Sequence, residues 1–257
     1  MRPSRLLLFL FAVVLSVQYA RADINHVYCF DDNRDPAAPS NSSGEASLLR
    51  YSGESGQTTK ECKFGTGSMM LKEAKGKRGG PVAPGLISNP GDFSGEIHKM
   101  SFTTWILPAV GNINISLIHR ISKLPYTHTP PGSFQFGYSR AYHCLFFKSI
   151  GKDGQILNAK SSVLHSILGG LWVQVGFTFD EGNVTIYVNG VAVGNDKSPA
   201  ITSIPALPQG FIVAFNNAAG SYVDDFALIF DRAFTESEMD QVYTEGLANF
   251  LKAKPSK

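Results

Sequence analysis

The sequence predicts an all-β protein, a sandwich of two antiparallel sheets with one short helix near the C-terminus. Three observations carry that prediction. Apolar residues alternate with a period of two along many short segments, Gly, Pro, Asn and Ser clusters separate those segments, and only one stretch has helical spacing.

The clearest strand is 172–179, where Val173, Val175, Phe177 and Phe179 share one face and Trp172, Gln174, Gly176 and Thr178 the other. After Asp180-Glu-Gly-Asn183 the alternation resumes through Val184, Ile186 and Val188, passes Asn189-Gly190, and continues at Val191-Ala-Val193. Asn-Gly between alternating apolar residues is a hairpin signal, because both residues tolerate the positive φ of a type I′ turn. This dipeptide turns the chain and does no chemistry. Further strands are expected at 26–30, 68–71, 101–106, 115–121, 133–138, 142–149, 210–215 and 223–230. The helix begins at Thr235, an N-cap with Glu238 as its capping-box partner, and Met239, Val242, Tyr243 and Leu247 recur at helical spacing; Gly246 falls too early to be a clean terminator. The region 31–62 is polar, with Pro36, Pro39 and several Ser and Gly residues, and reads as a surface loop.

Arg2 and Arg5 precede an apolar run at 6–17 that closes on Ala20-Arg21-Ala22. The run is too short to cross ~30 Å of hydrocarbon, so residues 1–22 read as a secretory signal peptide, an uncleaved anchor being the alternative. One domain over 23–250 and a polar tail at 251–257 follow, and no second segment reaches membrane-spanning length. The product is expected to be secreted, or periplasmic in a bacterium. Charged residues make up 17% of the chain and the net charge is +2, which supplies no strong field and argues against a nucleic-acid partner. The three cysteines, Cys29, Cys62 and Cys144, allow one bridge and a leftover thiol. Cys29–Cys62 is the candidate pair, and three buried thiols acting as small apolar residues are the alternative. No cysteine or histidine pair has zinc-ligand spacing. Asn-X-Ser/Thr triplets begin at Asn41, Asn114 and Asn183, and are acceptors only in a eukaryotic secretory pathway.

Several ordered pieces resemble one family: a first strand ending in Phe30-Asp31, then Phe64-Gly65-Thr-Gly-Ser68, Phe102-Thr-Thr-Trp105-Ile-Leu-Pro108, Trp172 through Gly190, and Val223-Asp224-Asp225-Phe226 running on to Glu238. Together, from about Val27 to Tyr243, they resemble the laminin-G-like jelly rolls of the concanavalin A-like lectin and glucanase superfamily. The resemblance implies a jelly-roll sandwich whose inner faces pack on each other. Of Trp105 and Trp172, both at strand ends, at least one is expected to plug the core rather than stack on a sugar.

Glucanases occur in that superfamily, and their paired carboxylates sit on alternate positions of one strand. The nearest match, Glu236-Ser-Glu238-Met-Asp240, lies in the predicted helix, where acids complement the helix dipole. No lyase, nucleophile-elbow, zinc-protease or phosphate-loop pattern occurs. The reading is therefore a non-enzyme.

The resemblance also implies calcium held by side-chain and carbonyl oxygens at a sandwich edge. Asp31 after the first strand and Asp224 in the last are the candidate metal ligands, with Asp32, Asn33 and Asp225 as helpers; Arg34 stands where the family has an acidic, glycine-rich loop. For ligand contact the unusual stretch is 119–143, from which Tyr126, His128, Tyr138, Arg140 and His143 are the candidates, since rings stack on sugars and polar groups bind hydroxyls. The expected function is a secreted binding module for an extracellular glycan or glycoprotein, assisted by calcium. A structural or adhesive protein-contact module, or a divergent hydrolase or lyase, is the alternative.

Overall fold

The computed structural model describes residues 25–31, 49–75, 81–110, 114–123, 129–162 and 169–253. The expected signal peptide, Asp32, Asn33, Arg34, Tyr126 and His128 lie outside them.

The strands in chain order are β1 (Asn25–Tyr28), β2 (Arg50–Ser52), β3 (Gly56–Thr58), β4 (Ser68–Met70), β5 (Ala74–Lys75), β6 (Pro81–Val82), β7 (Gly85–Ile87), β8 (Lys99–Leu107) and β9 (Asn114–Ile121). They continue with β10 (Phe134–Ser139), β11 (Cys144–Ile150), β12 (Ile156–Lys160), β13 (Val173–Asp180), β14 (Asn183–Val188), β15 (Val191–Lys197), β16 (Phe211–Asn216) and β17 (Tyr222–Phe230). Two helices follow, α1 (Glu236–Glu245) and α2 (Leu247–Ala253). One sheet runs β15-β14-β13-β8-β17-β4-β3, with β1 also on β17, and is called sheet A below; the other, sheet B, runs β12-β11-β10-β9-β16-β7-β2. Both are antiparallel, and β5 and β6 form a separate two-stranded ribbon.

The inner faces meet in one apolar core, and the alternation read from the sequence is what builds it. Val173, Val175, Phe177 and Phe179 all lie in that core. Phe177 is at its centre, with ring centroids 4.7 Å from Phe147, 5.1 Å from Phe136 and 5.7 Å from Phe102. A buried ring of this size makes its removal cost about 3–5 kcal/mol. The hairpins close as their sequences require: Asn189 and Gly190 have φ of 48° and 79°, and Glu181 and Gly182 have 46° and 93°.

The helix cap at Thr235 forms with Glu238 as its reciprocal partner. Gly246 does terminate α1: it adopts φ 77°, which a side chain rarely tolerates, and its N–H returns to the Val242 carbonyl. The chain then starts α2, a second helix absent from the sequence reading, which runs into the stretch read as a polar tail. Residues 50–58, assigned to a loop, instead pair at the sheet edges as β2 and β3. All three cysteines are free thiols, so the expected Cys29–Cys62 bridge does not form; Cys29 is buried beside β17 and its thiol bonds the Asp225 carboxylate.

The two outer faces differ. On sheet A the outward Val27, Cys29, Ala227 and Ile229 are covered by Met239 and Val242 of α1 and by Leu247 and Phe250 of α2. On sheet B a small apolar cluster of Ile121, Phe211 and Val213 occupies the β9–β16 side. The β9–β12 side of that face is polar and hollow.

Candidate functional site

Register alone places the side chains of the hollow. On β10 the outward residues are Gln135, Gly137 and Ser139, and each stands in a row across the sheet. Gln135 pairs with His119 on β9 and Lys148 on β11, and Lys148 pairs with Asn158 on β12. Gly137 pairs with Ser116 and Phe146, and Phe146 with Lys160. Ser139 pairs with Asn114 and Cys144. A β-bulge at Leu117 on β9, where the register shifts between Phe136 and Gly137, bends the floor at this point.

The result is a cavity of about 380 Å³. Its wall carries the amides of Asn114, Gln135, Asn158 and Asn217 and the hydroxyls of Ser116 and Ser139. Phe146 lies over the side-chain-free Gly137, where an added Cβ would come within 2.5 Å of the Ile115 carbonyl and 3.3 Å of the Phe146 ring. Tyr142, 70% exposed, stands at the rim with the Lys160 ammonium 5.3 Å from its ring centroid. Among the described residues Lys160 is the only formally charged one in the lining, and none of them there is Asp, Glu or His. Hydrogen bonding and ring stacking are the chemistry this wall offers.

Tyr138 alternates with the outward residues of β10 and lies in the core with Phe134 and Phe136, meeting the cavity from beneath its floor. It is 2% exposed, and its buried hydroxyl has no hydrogen-bond partner among the described residues. Burial raises its pKa, with Cys144 adding to the effect, so the phenol stays protonated. A buried hydroxyl without a partner costs about 1–3 kcal/mol.

Of the candidates read from the sequence, Tyr138 lines the cavity. Arg140 and His143 stand exposed in the β10–β11 turn outside the lining, where the Arg140 N–H donates to Asn114 Oδ1 at 3.3 Å. The amides, Phe146 and Lys160 escaped the sequence reading. Their signal was the polar half of each alternation: Gln-x-Gly-x-Ser on β10, Cys-x-Phe-x-Lys on β11 and Asn-x-Lys on β12.

The aspartates expected to hold calcium sit on the other sheet, Asp31 after the end of β1 and Asp224 near the start of β17, and β1 and β17 are neighbours as the resemblance implied. Asp31 Oδ1 accepts the N–H groups of Thr66 and Gly67 at 2.6 and 3.0 Å. Asp224 Oδ2 accepts those of Lys63 and Phe64 at 2.9 and 3.0 Å, while its Oδ1 accepts the Asp225 N–H at 2.8 Å. Asp225, at φ 47° in a bulge of β17, turns outward as well and accepts the Leu247 N–H at 2.7 Å. Asp31 and Asp224 therefore clamp one loop, 63–67, while Asp225 holds the start of α2. Gly65 and Gly67 belong to the clamp, because a Cβ at Gly65 would fall 2.2 Å from the Asp31 carboxylate and one at Gly67 would strike the Phe30 carbonyl. Lys63 then reaches over Trp105, 4.4 Å from the ring centroid, and Tyr243 stacks on the same ring at 5.4 Å. Trp105 is buried in this stack and Trp172 is half-buried.

Burial raises Asp224 to about 7 and Asp225 to about 6. Backbone N–H groups already satisfy these carboxylate oxygens. Among the described residues no group of three His, Cys, Asp or Glu side chains suits a metal ion, and the expected helpers Asp32 and Asn33 lie outside those residues.

Two antiparallel sheets packed face to face, one of them backed by helices, form a jelly-roll sandwich. The chain belongs to the concanavalin A-like lectin/glucanases superfamily, whose Laminin_G_3 model matches residues 86–239. No curated protein matches the sequence. Among solved structures it is similar to the binding domain of Paraclostridial mosquitocidal protein 1, with TM-score 0.58 and 14% identity over 80% of this chain and 49% of that one. It is similar to the binding domain of botulinum neurotoxin DC in complex with SialylT, with TM-score 0.58 and 15% identity over 88% and 51%. The same toxin domain in complex with rat synaptotagmin II gives TM-score 0.59 and 15% identity over 88% and 52%. The chain spans about half the length of these structures, which are binding domains; at such identity the likeness is one of fold.

Proposed function

We propose that this chain is an exported, non-catalytic binding module that holds a saccharide in the sheet B cavity. The observation that carries the reading is the lining of the 380 Å³ cavity, which sets the amides of Asn114, Gln135, Asn158 and Asn217 and the hydroxyls of Ser116 and Ser139 beside the Phe146 and Tyr142 rings and the Lys160 ammonium. Sugars present hydroxyls to amides and apolar ring faces to aromatics, so each wall component has a counterpart. A toxin binding domain, half of which is similar to this chain in fold, has been solved in complex with SialylT, which supports the reading. Export is supported by the basic residues and apolar run at the N-terminus. In place of calcium, carboxylate–amide clamps hold the 63–67 loop.

A glycan array probed with the full chain, repeated with Asn158→Ala and Phe146→Ala, tests the reading. Binding that Asn158→Ala weakens and Phe146→Ala removes supports it. Binding that survives both changes places the site elsewhere. A protein-contact module is the second reading, supported by the same toxin domain seen with synaptotagmin II and by the exposed Tyr142 ring. It takes over where no glycan binds.

A further inference from the structure

Beside the large cavity, the same face carries a smaller one of about 50 Å³, lined by His119, Ser133, Gln135 and Lys148 among others. Gln135 belongs to both cavities, so they adjoin. Ser133 is 1% exposed and its Oγ has no hydrogen-bond partner among the described residues. The volume corresponds to roughly one or two waters, too little for a sugar ring and enough for a substituent of a few heavy atoms. Lys148 supplies a cation to this wall and makes no ion pair with a described carboxylate. Burial lowers His119 to about 4, so its ring is neutral and serves only as a hydrogen-bonding group. Lys148 pairs with Asn158, which puts Lys160 at the diagonal position, roughly 7–8 Å away between Cα atoms. The acid that meets β12, Asp196, accepts the Asn158 and Lys197 N–H groups at 3.0 and 2.8 Å. A chain of nearly balanced charge thus sets two lysines and no lining carboxylate on one half of one sheet.

We propose that the small cavity is an anion subsite: it takes the carboxylate or sulfate of a sugar unit adjoining the one held in the large cavity, with Lys148 as counter-charge and the Ser133 hydroxyl and Gln135 amide as donors. This rests on the saccharide reading of the large cavity and narrows it to acidic oligosaccharides of at least two units.

The experiment is a glycan array carrying neutral oligosaccharides beside their uronic-acid, sialylated and sulfated counterparts, probed with the full chain and with Lys148→Met, Ser133→Ala and Lys160→Met, each checked for folding by thermal melt. Acidic members should bind about tenfold or more tightly than their neutral counterparts, the size of one charge-assisted hydrogen bond. Raising NaCl to about 0.5 M should shrink that preference. Lys148→Met should abolish it while sparing affinity for neutral members, and Ser133→Ala should reduce it, giving the same reading if the lysine variant fails to fold. Separate carboxylate and sulfate arms identify which anion is held. Equal binding of acidic and neutral members overturns the proposal. So does a preference cancelled by Lys160→Met and untouched by Lys148→Met, which would put the anion in the large cavity. Absence of all glycan binding removes the saccharide reading itself, a different failure from loss of the acidic preference alone.

Discussion

The outer face of sheet A and the outer face of sheet B are made by the same strand rule and serve opposite ends. On sheet A the outward positions of β1 and β17 are Val27, Cys29, Ala227 and Ile229, and they disappear beneath α1 and α2. On the β9–β12 half of sheet B the outward positions are Ser116, Gln135, Ser139, Lys148, Asn158 and Lys160, and they line cavities. The lesson is that the outward half of an alternating strand decides whether a sheet face becomes scaffold or recognition surface. The inward half is mainly apolar in both cases, with His26 and Arg120 as buried exceptions.

Replacing residues on each face should separate the two roles. The largest effect is expected under the helix layer: Phe250→Ala removes a buried ring whose centroid is 5.3 Å from that of Phe234, and should lower unfolding free energy by about 3 kcal/mol with the saccharide site unchanged, measured by urea denaturation. Asp224→Ala strips the acceptor from three backbone N–H groups and should cost about 2 kcal/mol, with faster amide exchange at 63–64. Phe146→Ala on sheet B should do the reverse, costing under about 1 kcal/mol of stability while reducing glycan affinity about tenfold or more. If it unfolds the protein instead, the distinction between the faces is lost.

Acid and base should loosen the two faces in opposite directions. Asp224 and Asp225 are raised to about 7 and 6, so the folded chain keeps protons that the unfolded chain releases, and this contribution to stability is lost as pH rises from about 4 to 7. His119 is lowered to about 4, so its contribution is present above about 6.5 and lost as pH falls toward 4; the core residue His26 behaves alike. Global stability should therefore vary little between pH 4.5 and 6.5. Local amide exchange should not: the 63–67 loop loosens toward neutral pH and the β9–β10 pair toward acid. Asp224→Asn should flatten the first trend alone. The smallest effect expected is from chelation, since adding EDTA should leave both the thermal midpoint and glycan binding where they were. A drop in either would restore calcium.

The inward pattern was legible because every other residue of 172–179 is apolar and nothing else in that segment competes. β12 was not, since Leu157 and Ala159 are its only buried side chains and two apolar residues make a faint alternation. Helix α2 is seven residues long, and its helicity comes from packing Leu247 and Phe250 against sheet A rather than from any cap the sequence displays. The aspartate pair was visible, but its role depends on which groups face it. Two of the partners of Asp224 are backbone amides of a loop some 160 positions away, with no side-chain signature. Tyr138 stood out as an aromatic in a polar stretch; Gln135, Asn158 and Lys160 did not, because each is ordinary until register sets them in adjoining rows.

The bulge at Leu117 has a consequence for divergence. It gives the floor its curvature through backbone register, while Leu117 and Ile118 both remain among the core residues. Concavity and side-chain identity are thus encoded separately. Lineages of this scaffold can exchange what projects from β10, β11 and β12, and so change what is recognised, while inheriting an unaltered basin.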